Sequence, residues 1–240
     1  MLGEKRRFMS FKFDENLGQS DFSAASLKQK AYLALQKSIL DLEFIPGQLL
    51  RKNDLCKRFG ISRTPLSEAI ALLVQDGLVE VVPQAGTYVA RFSMEDLREG
   101  AFIREAIEVA AITLLAEIIT EPQLIELRRN LRLQRAFIDD GDIQGFYAMD
   151  AQFHAILLNS TGYKRLNRVA DNAWMNVNRV RRLLLPIKGR LEATFREHKK
   201  IYNALEQKNP AKAGKMLKEH LGQLMTFVVP LEQEHPEYFA

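Results

Sequence analysis

Three histidines and one aspartate carry the chemistry most easily read from this sequence. Asp150 and His154 stand four residues apart, on one face of a helix they share with Phe146 and Leu157. His198 lies on the stripe Thr194, Ile201, Leu205, and His220 on the stripe Ala213, Leu217, Leu224. Each stripe is apolar and faces inward, so the four polar groups converge on one core from three helices. His235, in the tail EHPEYF, has no such stripe and is expected to be exposed. A single histidine on an apolar face is ordinarily a hydrogen-bonded core residue. Four polar groups buried together are costly unless something satisfies them. Either mutual hydrogen bonding or a divalent ion would do so, and an ion held this way keeps positions open for water or a ligand.

The elements that position these residues are helical. Ser93 caps a helix to about Ile119, with Glu95 and Asp96 near its positive end. Thr120 and Pro122 open a second, ending near Asp140 and Gly141. Asp142 opens a third, ending at Asn159–Gly162. A fourth is expected over about Tyr163–Leu185, a fifth over about Lys188–Lys208, and a sixth from Pro210 to about Leu231 behind Asn209. Short connections favour antiparallel neighbours, giving an all-α bundle of six or seven helices over 93–240.

The front of the chain is different. Residues 1–22 form a mixed tail without periodicity and are expected to be loose. Over 23–92 the pattern is a winged helix-turn-helix. Its first helix runs from about Ser26 to Leu42, with Ala31, Leu35, Ile39 and Leu42 inward. Pro46–Gly47 forces a turn. Asn53 or a neighbour opens a short helix that ends at Gly60, where a left-handed cap is tolerated. Ser62 or Thr64 caps the next helix, Pro65 sits in its first turn, and Leu66, Ile70, Leu73 and Val74 form its stripe. Gly77 closes it. Val79–Val82 and Thr87–Ala90 make a hairpin about Pro83–Gly86.

Such a module lays its second helix in the DNA major groove. Arg51, Lys52, Lys57, Arg58 and Arg63 stand against one acid, Asp54, over 51–63, a strip suited to phosphates. Arg51 and Lys52 are candidates for backbone contact. Arg63, Thr64 and Ser67, at the helix start, are candidates for base edges, with Arg63 best suited to guanine. Gln84 and Gly86, at the wing tip, are candidates for the minor groove or phosphate.

Composition sets the outer limits. At 240 residues with 47% apolar content the chain has room for two modest folded domains. The net charge of +4 is by itself weak evidence for nucleic acid. No apolar run reaches membrane-spanning length, no secretory signal opens the sequence, and the single cysteine, Cys56, fits a reducing cytoplasm as a small core residue.

The segment PGQLL…LCKRFGISRTPLSEAIALLVQDGLVEVVPQAGTYVA resembles the DNA-binding domain of GntR-superfamily regulators over roughly 26–91. Two positions depart from that pattern: Asn53 and Ser67 stand where the superfamily carries arginines that contact DNA. Each missing bidentate contact would weaken binding by ~1–3 kcal/mol. The back half resembles the FCD ligand-binding domain of the FadR-type branch over roughly 93–225. The matching pieces are FIREAIEVAAITLLAE, DAQFH, EHKKIYNAL and AGKMLKEH. The metal-binding members of that family use one Asp and three His, which the resemblance places at Asp150, His154, His198 and His220. Zinc or nickel is then the expected ion, and a fatty-acyl effector is disfavoured, since the acyl-CoA-responding member lacks this set.

The resemblance further implies a small organic or sugar acid completing the metal's shell. Arg104 matches the family's arginine and would hold a carboxylate, or alternatively pair with Glu108 one turn on. Trp174, the single tryptophan, is a candidate for the pocket wall, and Asn178 and Thr194 for bonding an effector hydroxyl. The implied whole is a ligand-responsive transcriptional regulator, a repressor by the family's common mode. It would act in the cytoplasm as a homodimer on a palindromic double-stranded operator. Two other functions compete. A metal-dependent hydrolase or lyase would need a general base beside the metal, and Glu197, next to His198, lies on a different side of its helix. A metalloregulator would take the ion itself as its signal.

Overall fold

The computed structural model describes residues 24–166, 169–170, 174–184 and 186–240. The tail expected over 1–22 lies outside them. The first helix, α1 (Ala24–Leu40), buries Ala31, Leu35 and Ile39. It stops two residues short of Leu42, which takes a left-handed φ of 59° and is only half-buried. Two helices follow, α2 (Lys52–Phe59) and α3 (Arg63–Gln75), and between them Gly60 takes φ 63° while its N–H reaches Cys56 O. Leu55 and Phe59 of α2 meet Leu66, Ile70 and Leu73 of α3 and Leu35 and Ile39 of α1 in one core. Ser62 is the N-cap of α3, and Val74, expected in its stripe, is 40% exposed. It follows Leu73 by 100° of helix turn, past the edge of the buried face.

The wing is the antiparallel pair β1 (Val79–Val82) and β2 (Gly86–Val89), with Val79 opposite Val89. The chain at 48–50 runs beside β2: Leu50 N donates to Thr87 O (2.7 Å) and Val89 N to Gln48 O (2.9 Å). Gly86 is required here, since at φ 144° a Cβ would lie 2.8 Å from Leu49 Cδ1.

The back half is a helical bundle: α4 (Met94–Ile118), α5 (Glu121–Asp139), α6 (Ile143–Asn159), α7 (Met175–Leu184), α8 (Arg190–Glu206) and α9 (Pro210–Glu234). Side chains fix several starts. Ser93 Oγ accepts from Asp96 N (3.1 Å), Asp142 Oδ1 from Gly145 N (2.9 Å) and Asn209 Oδ1 from Lys212 N (3.0 Å). One core unites Ile112 and Leu115 of α4, Leu127 of α5, Phe153 and Leu157 of α6, Ile201 and Leu205 of α8, and Leu217 of α9. The single helix expected over about 163–185 is interrupted. Trp174 occupies a turn and α7 begins after it. The fold is mainly α, a winged helix-turn-helix followed by a helical bundle.

The two halves are joined through the segment Ala90–Phe92. Phe92 N donates to Tyr238 O and Ala240 N to Phe92 O, both 2.9 Å, so the last residues run alongside the linker.

Candidate metal centre and DNA-facing surface

Asp150 and His154 on α6, His198 on α8 and His220 on α9 come together as their helical stripes require. All four are at most 5% exposed, and one potential ligand atom from each lies within 4.8 Å of the others. Phe153 stacks on the His198 ring, with centroids 4.2 Å apart.

The imidazoles are oriented from behind. Glu108 Oε2 lies 2.6 Å from His154 Nδ1, Glu197 Oε2 lies 2.6 Å from His220 Nδ1, and Gln134 Oε1 lies 2.9 Å from His198 Nδ1. A carboxylate can only accept, so Nδ1 of His154 and of His220 carries the proton. The amide at Gln134 is set by its neighbours. Asn130 Nδ2 donates to Met149 O (3.0 Å), leaving Asn130 Oδ1 to accept from Gln134 Nε2 (2.7 Å). Gln134 Oε1 therefore faces His198, whose Nδ1 must donate. In their neutral forms all three rings turn bare Nε2 lone pairs towards one point.

That point lacks an internal solution. His154 Nε2 and His220 Nε2 face each other at 3.3 Å. His198 Nε2 and Asp150 Oδ1 are buried without a hydrogen-bond partner, 3.5 Å apart. Burial pushes the His154 imidazole down to about 4 against the pull of Glu108, and holds His198 well below the usual histidine range. At His154 and His198 the neutral ring is thus favoured, so unprotonated Nε2 atoms face the site. A divalent cation fits this donor set, three imidazole nitrogens and one carboxylate oxygen with their outer atoms already held.

A cavity of about 40 Å³ opens beside the cluster. Arg104, Arg181, Arg190 and Thr194 line it with Asp150 and His220, and Leu221, Leu224 and Phe227 close its apolar side. Each arginine is tied to an acid that touches the cluster or belongs to it. Arg104 Nε donates to Glu108 Oε1 (2.6 Å), Arg190 Nη1 to Glu197 Oε1 (3.2 Å), and Arg181 Nη2 to Asp150 Oδ2. Burial would raise the Asp150 carboxyl, but Arg181 and the neighbouring charges hold it below its ordinary value. Thr194 Oγ1 is buried with no partner.

The sequence-named pocket residues divide between lining and backing. Arg104 and Thr194 line the cavity, and Arg104 also makes the expected pair with Glu108. Trp174 stands behind Arg104, whose Cζ is 5.1 Å from its ring. Asn178 stands behind Arg181, its Oδ1 accepting from Nη1 at 3.3 Å. Sequence reading did not single out Arg181, Arg190, Gln134 or the role of Glu197. His235 is half-buried and bonds Glu237 Oε1 (3.0 Å) away from the site.

On the front half, Arg51, Lys52, Arg63, Thr64 and Ser67 are all exposed. A surface cleft between α2 and the start of α3 is bordered by Arg51, Lys52, Asn53, Arg63 and Ser67. Arg63 Nη2 donates to Asn53 Oδ1 (2.9 Å), so the residue that departs from the superfamily pattern orients the arginine beside it. Gln84 is exposed at the wing tip with φ 62°, and Gly86 is half-buried beneath it. Arg58, counted in the basic strip, turns elsewhere: it pairs with Glu43 (2.8 Å) and lies over the Phe44 and Phe59 rings.

A winged helix-turn-helix fused to a bundle with a polar, partly unsatisfied cavity defines a DNA-binding regulator with a ligand-binding half. Comparison with known proteins agrees. The model of bacterial regulatory proteins of the gntR family matches residues 27–89, and that of the FCD domain matches residues 99–223. The chain is 31% identical to the HTH-type transcriptional repressor RspR of Escherichia coli K12 over 214 residues, 89% of this chain and 94% of that one. Its fold is similar to E. coli McbR/YncC (TM-score 0.73, 21% identity, 86% of this chain and 98% of that chain). It also resembles a putative GntR transcriptional regulator from Rhodococcus sp. RHA1 (TM-score 0.70, 24% identity, 84% and 98%). The protein belongs to the GntR family and is a transcriptional regulator with a GntR DNA-binding domain and an FCD ligand-binding domain. No helix among the described residues is long and apolar enough to cross a membrane.

Proposed function

We propose that this regulator is a repressor whose grip on its operator is set by a small acid bound at a metal ion in the FCD cavity. The observation that carries the reading is the convergence of Asp150 Oδ1 and three Nε2 atoms on one buried point, where Asp150 Oδ1 and His198 Nε2 have no hydrogen-bond partner and the other two nitrogens face each other at 3.3 Å. Asp150, His154, His198 and His220 would hold the ion, zinc or nickel by donor type. When bound, the ion offers a Lewis-acidic position to a ligand oxygen. The chain itself supplies the rest: Arg104, Arg181 and Arg190 place guanidinium groups for a carboxylate, and Thr194 Oγ1 offers an unused hydroxyl. Trp174 and Asn178 support that wall from behind. A small organic or sugar acid matches the charge of the cavity lining.

Arg51 and Lys52 would neutralise phosphates, Arg63, Thr64 and Ser67 would read base edges, and Gln84 with Gly86 would carry the wing onto the backbone or into the minor groove. A homodimer would present two such modules to a palindromic operator in the cytoplasm. The name of the RspR relative supports repression as the sign of control.

The test is metal analysis of the purified protein followed by a thermal-shift screen of the metal-loaded form against sugar acids and short hydroxy acids. A binder raises the midpoint by mass action, weakens operator binding in a shift assay, and does neither in His198→Ala. Binders acting equally on that variant would remove the metal-centred pocket. A metal titration that alone releases the operator, with no acid needed, would make the ion the signal.

A further inference from the structure

Helix α7 touches both halves of the molecule with opposite faces. Met175, Arg179 and Arg182 fall at i, i+4 and i+7 and share one face, while Arg181 lies some 200° round from Arg179. Met175 packs against the front-domain core around Leu35 and Ile39, and Gln36 Nε2 approaches its sulfur at 4.0 Å. Arg179 is wholly buried. Its Nη2 donates to Ala90 O of the linker (3.0 Å), its Nη1 to Asn176 Oδ1 (3.1 Å), and its Cζ sits 4.8 Å from the Phe92 ring centroid. Arg182 Nη2 pairs with Asp41 Oδ1 (2.7 Å), just beyond the end of α1. On the other face, Arg181 and Leu184 line the cavity, and Arg181 holds Asp150.

We propose that α7 couples the cavity to the DNA-binding half, with Arg181 as its sensing contact and Arg179 and Arg182 as the positioning residues that set the linker and α1. This rests on the reading that the cavity binds a metal ion and an acid. Asp150 has one carboxylate, and a cation drawn to Oδ1 competes with Arg181 for its charge. An anion entering the cavity offers Arg181 a second partner. Either event changes the pull on Arg181, and α7 is short and continuous, so a shift at residue 181 is carried to residues 179 and 182. Those side chains hold the two places where the front half can turn against the back, the end of α1 and the segment 90–92. A ligand shifts such an equilibrium only by its differential affinity for the two arrangements, and Arg181 is where that difference arises.

The test is hydrogen exchange read by mass spectrometry on the full chain, with and without Zn²⁺, for peptides covering 40–44 and 88–93. Zinc affinity is followed in parallel by chelator competition. The expected result is that zinc changes exchange at least twofold in both segments of the unaltered protein. In Arg182→Ala and in Asp41→Asn the response at 40–44 is lost, the response at 88–93 remains, and zinc affinity stays within threefold. Arg182 also donates to Gln144 Oε1 and lies over the Tyr147 ring, and Asp41 also bonds Lys37, so each variant removes a different second contact and the two must agree. Zinc that binds without altering either segment, or a 40–44 response that survives in both variants, overturns the coupling and leaves the metal-centred pocket standing. Failure of the unaltered protein to bind zinc removes that pocket and the coupling together.

Discussion

Glu197 Oε2 stands 2.6 Å from His220 Nδ1, reaching from α8 to α9 past its own neighbour His198. The contact fixes which nitrogen of His220 carries the proton and which is free. Outer partners of this kind are worth about 10–100-fold in metal affinity. Glu197→Gln should therefore weaken zinc binding by at least about tenfold, measured by competition with a chromogenic chelator. Gln134→Leu, which strips the His198 Nδ1 partner, should act in the same direction. Unchanged affinity in both variants would deny these side chains their orienting role.

Removing an ion held by Asp150, His154, His198 and His220 should cost stability. An ion present at a thousand times its dissociation constant stabilises the folded state by about 4.1 kcal/mol. For a chain of this size each kcal/mol is about 2–4 °C in Tm. Exhaustive chelation should thus lower the midpoint by roughly 8–16 °C, and re-addition of zinc or nickel should restore it. His198→Ala should show no such response in differential scanning calorimetry.

Arg63→Ala should cost about 1–3 kcal/mol of operator affinity and relax specificity at one base pair, whereas Lys52→Ala should weaken all sequences alike and lower the salt slope by about one. Asn53→Ala, which frees Arg63 from its 2.9 Å bond, should reproduce part of the Arg63 effect. Arg58→Ala should leave the salt slope unchanged, because Arg58 is engaged with Glu43 and two rings. Fluorescence anisotropy across a salt series separates these outcomes.

Tyr32 OH donates to Asp76 Oδ2 (2.6 Å), tying α1 to the end of α3. Burial first, then this carboxylate, push the phenol up to about 12. A group whose folded pKa is raised stabilises fully below its unfolded value, near 10, and loses that contribution as pH climbs through the folded one. Ultraviolet titration should show Tyr32 resisting ionisation between pH 10 and 12 until the front domain unfolds, beside Tyr202, which burial and its bond to Glu206 also raise. In Tyr32→Phe the delayed amplitude should fall by one tyrosine.

The convergence of Asp150, His154, His198 and His220 was legible because helical periodicity alone puts them on inward faces. The winged module was legible from Gly60, Pro65 and the hairpin residues, whose backbone needs are local. What was not legible depends on the third dimension. Glu197 lies 100° of helix turn from His198, and the sequence offers no sign that it serves a histidine on α9 instead. Arg181 sits in the run NRVRRLL, and only the meeting of α6 with α7 turns it onto Asp150. For Arg58 the converse holds: its place in the basic run 51–63 hides an aromatic bed formed by Phe44 and Phe59. Trp174 looked like a helix interior position but closes a turn before α7.

Arg179 has a further meaning. It is a cation sealed from water with a carbonyl, an amide and a ring about it and, among the described residues, no carboxylate in contact, and burial lowers it to about 10. Pulling the halves apart would strip away the Ala90 carbonyl and the Phe92 face before solvent could replace them. Parting is therefore expensive, and the buried guanidinium acts as a latch between the linker and α7.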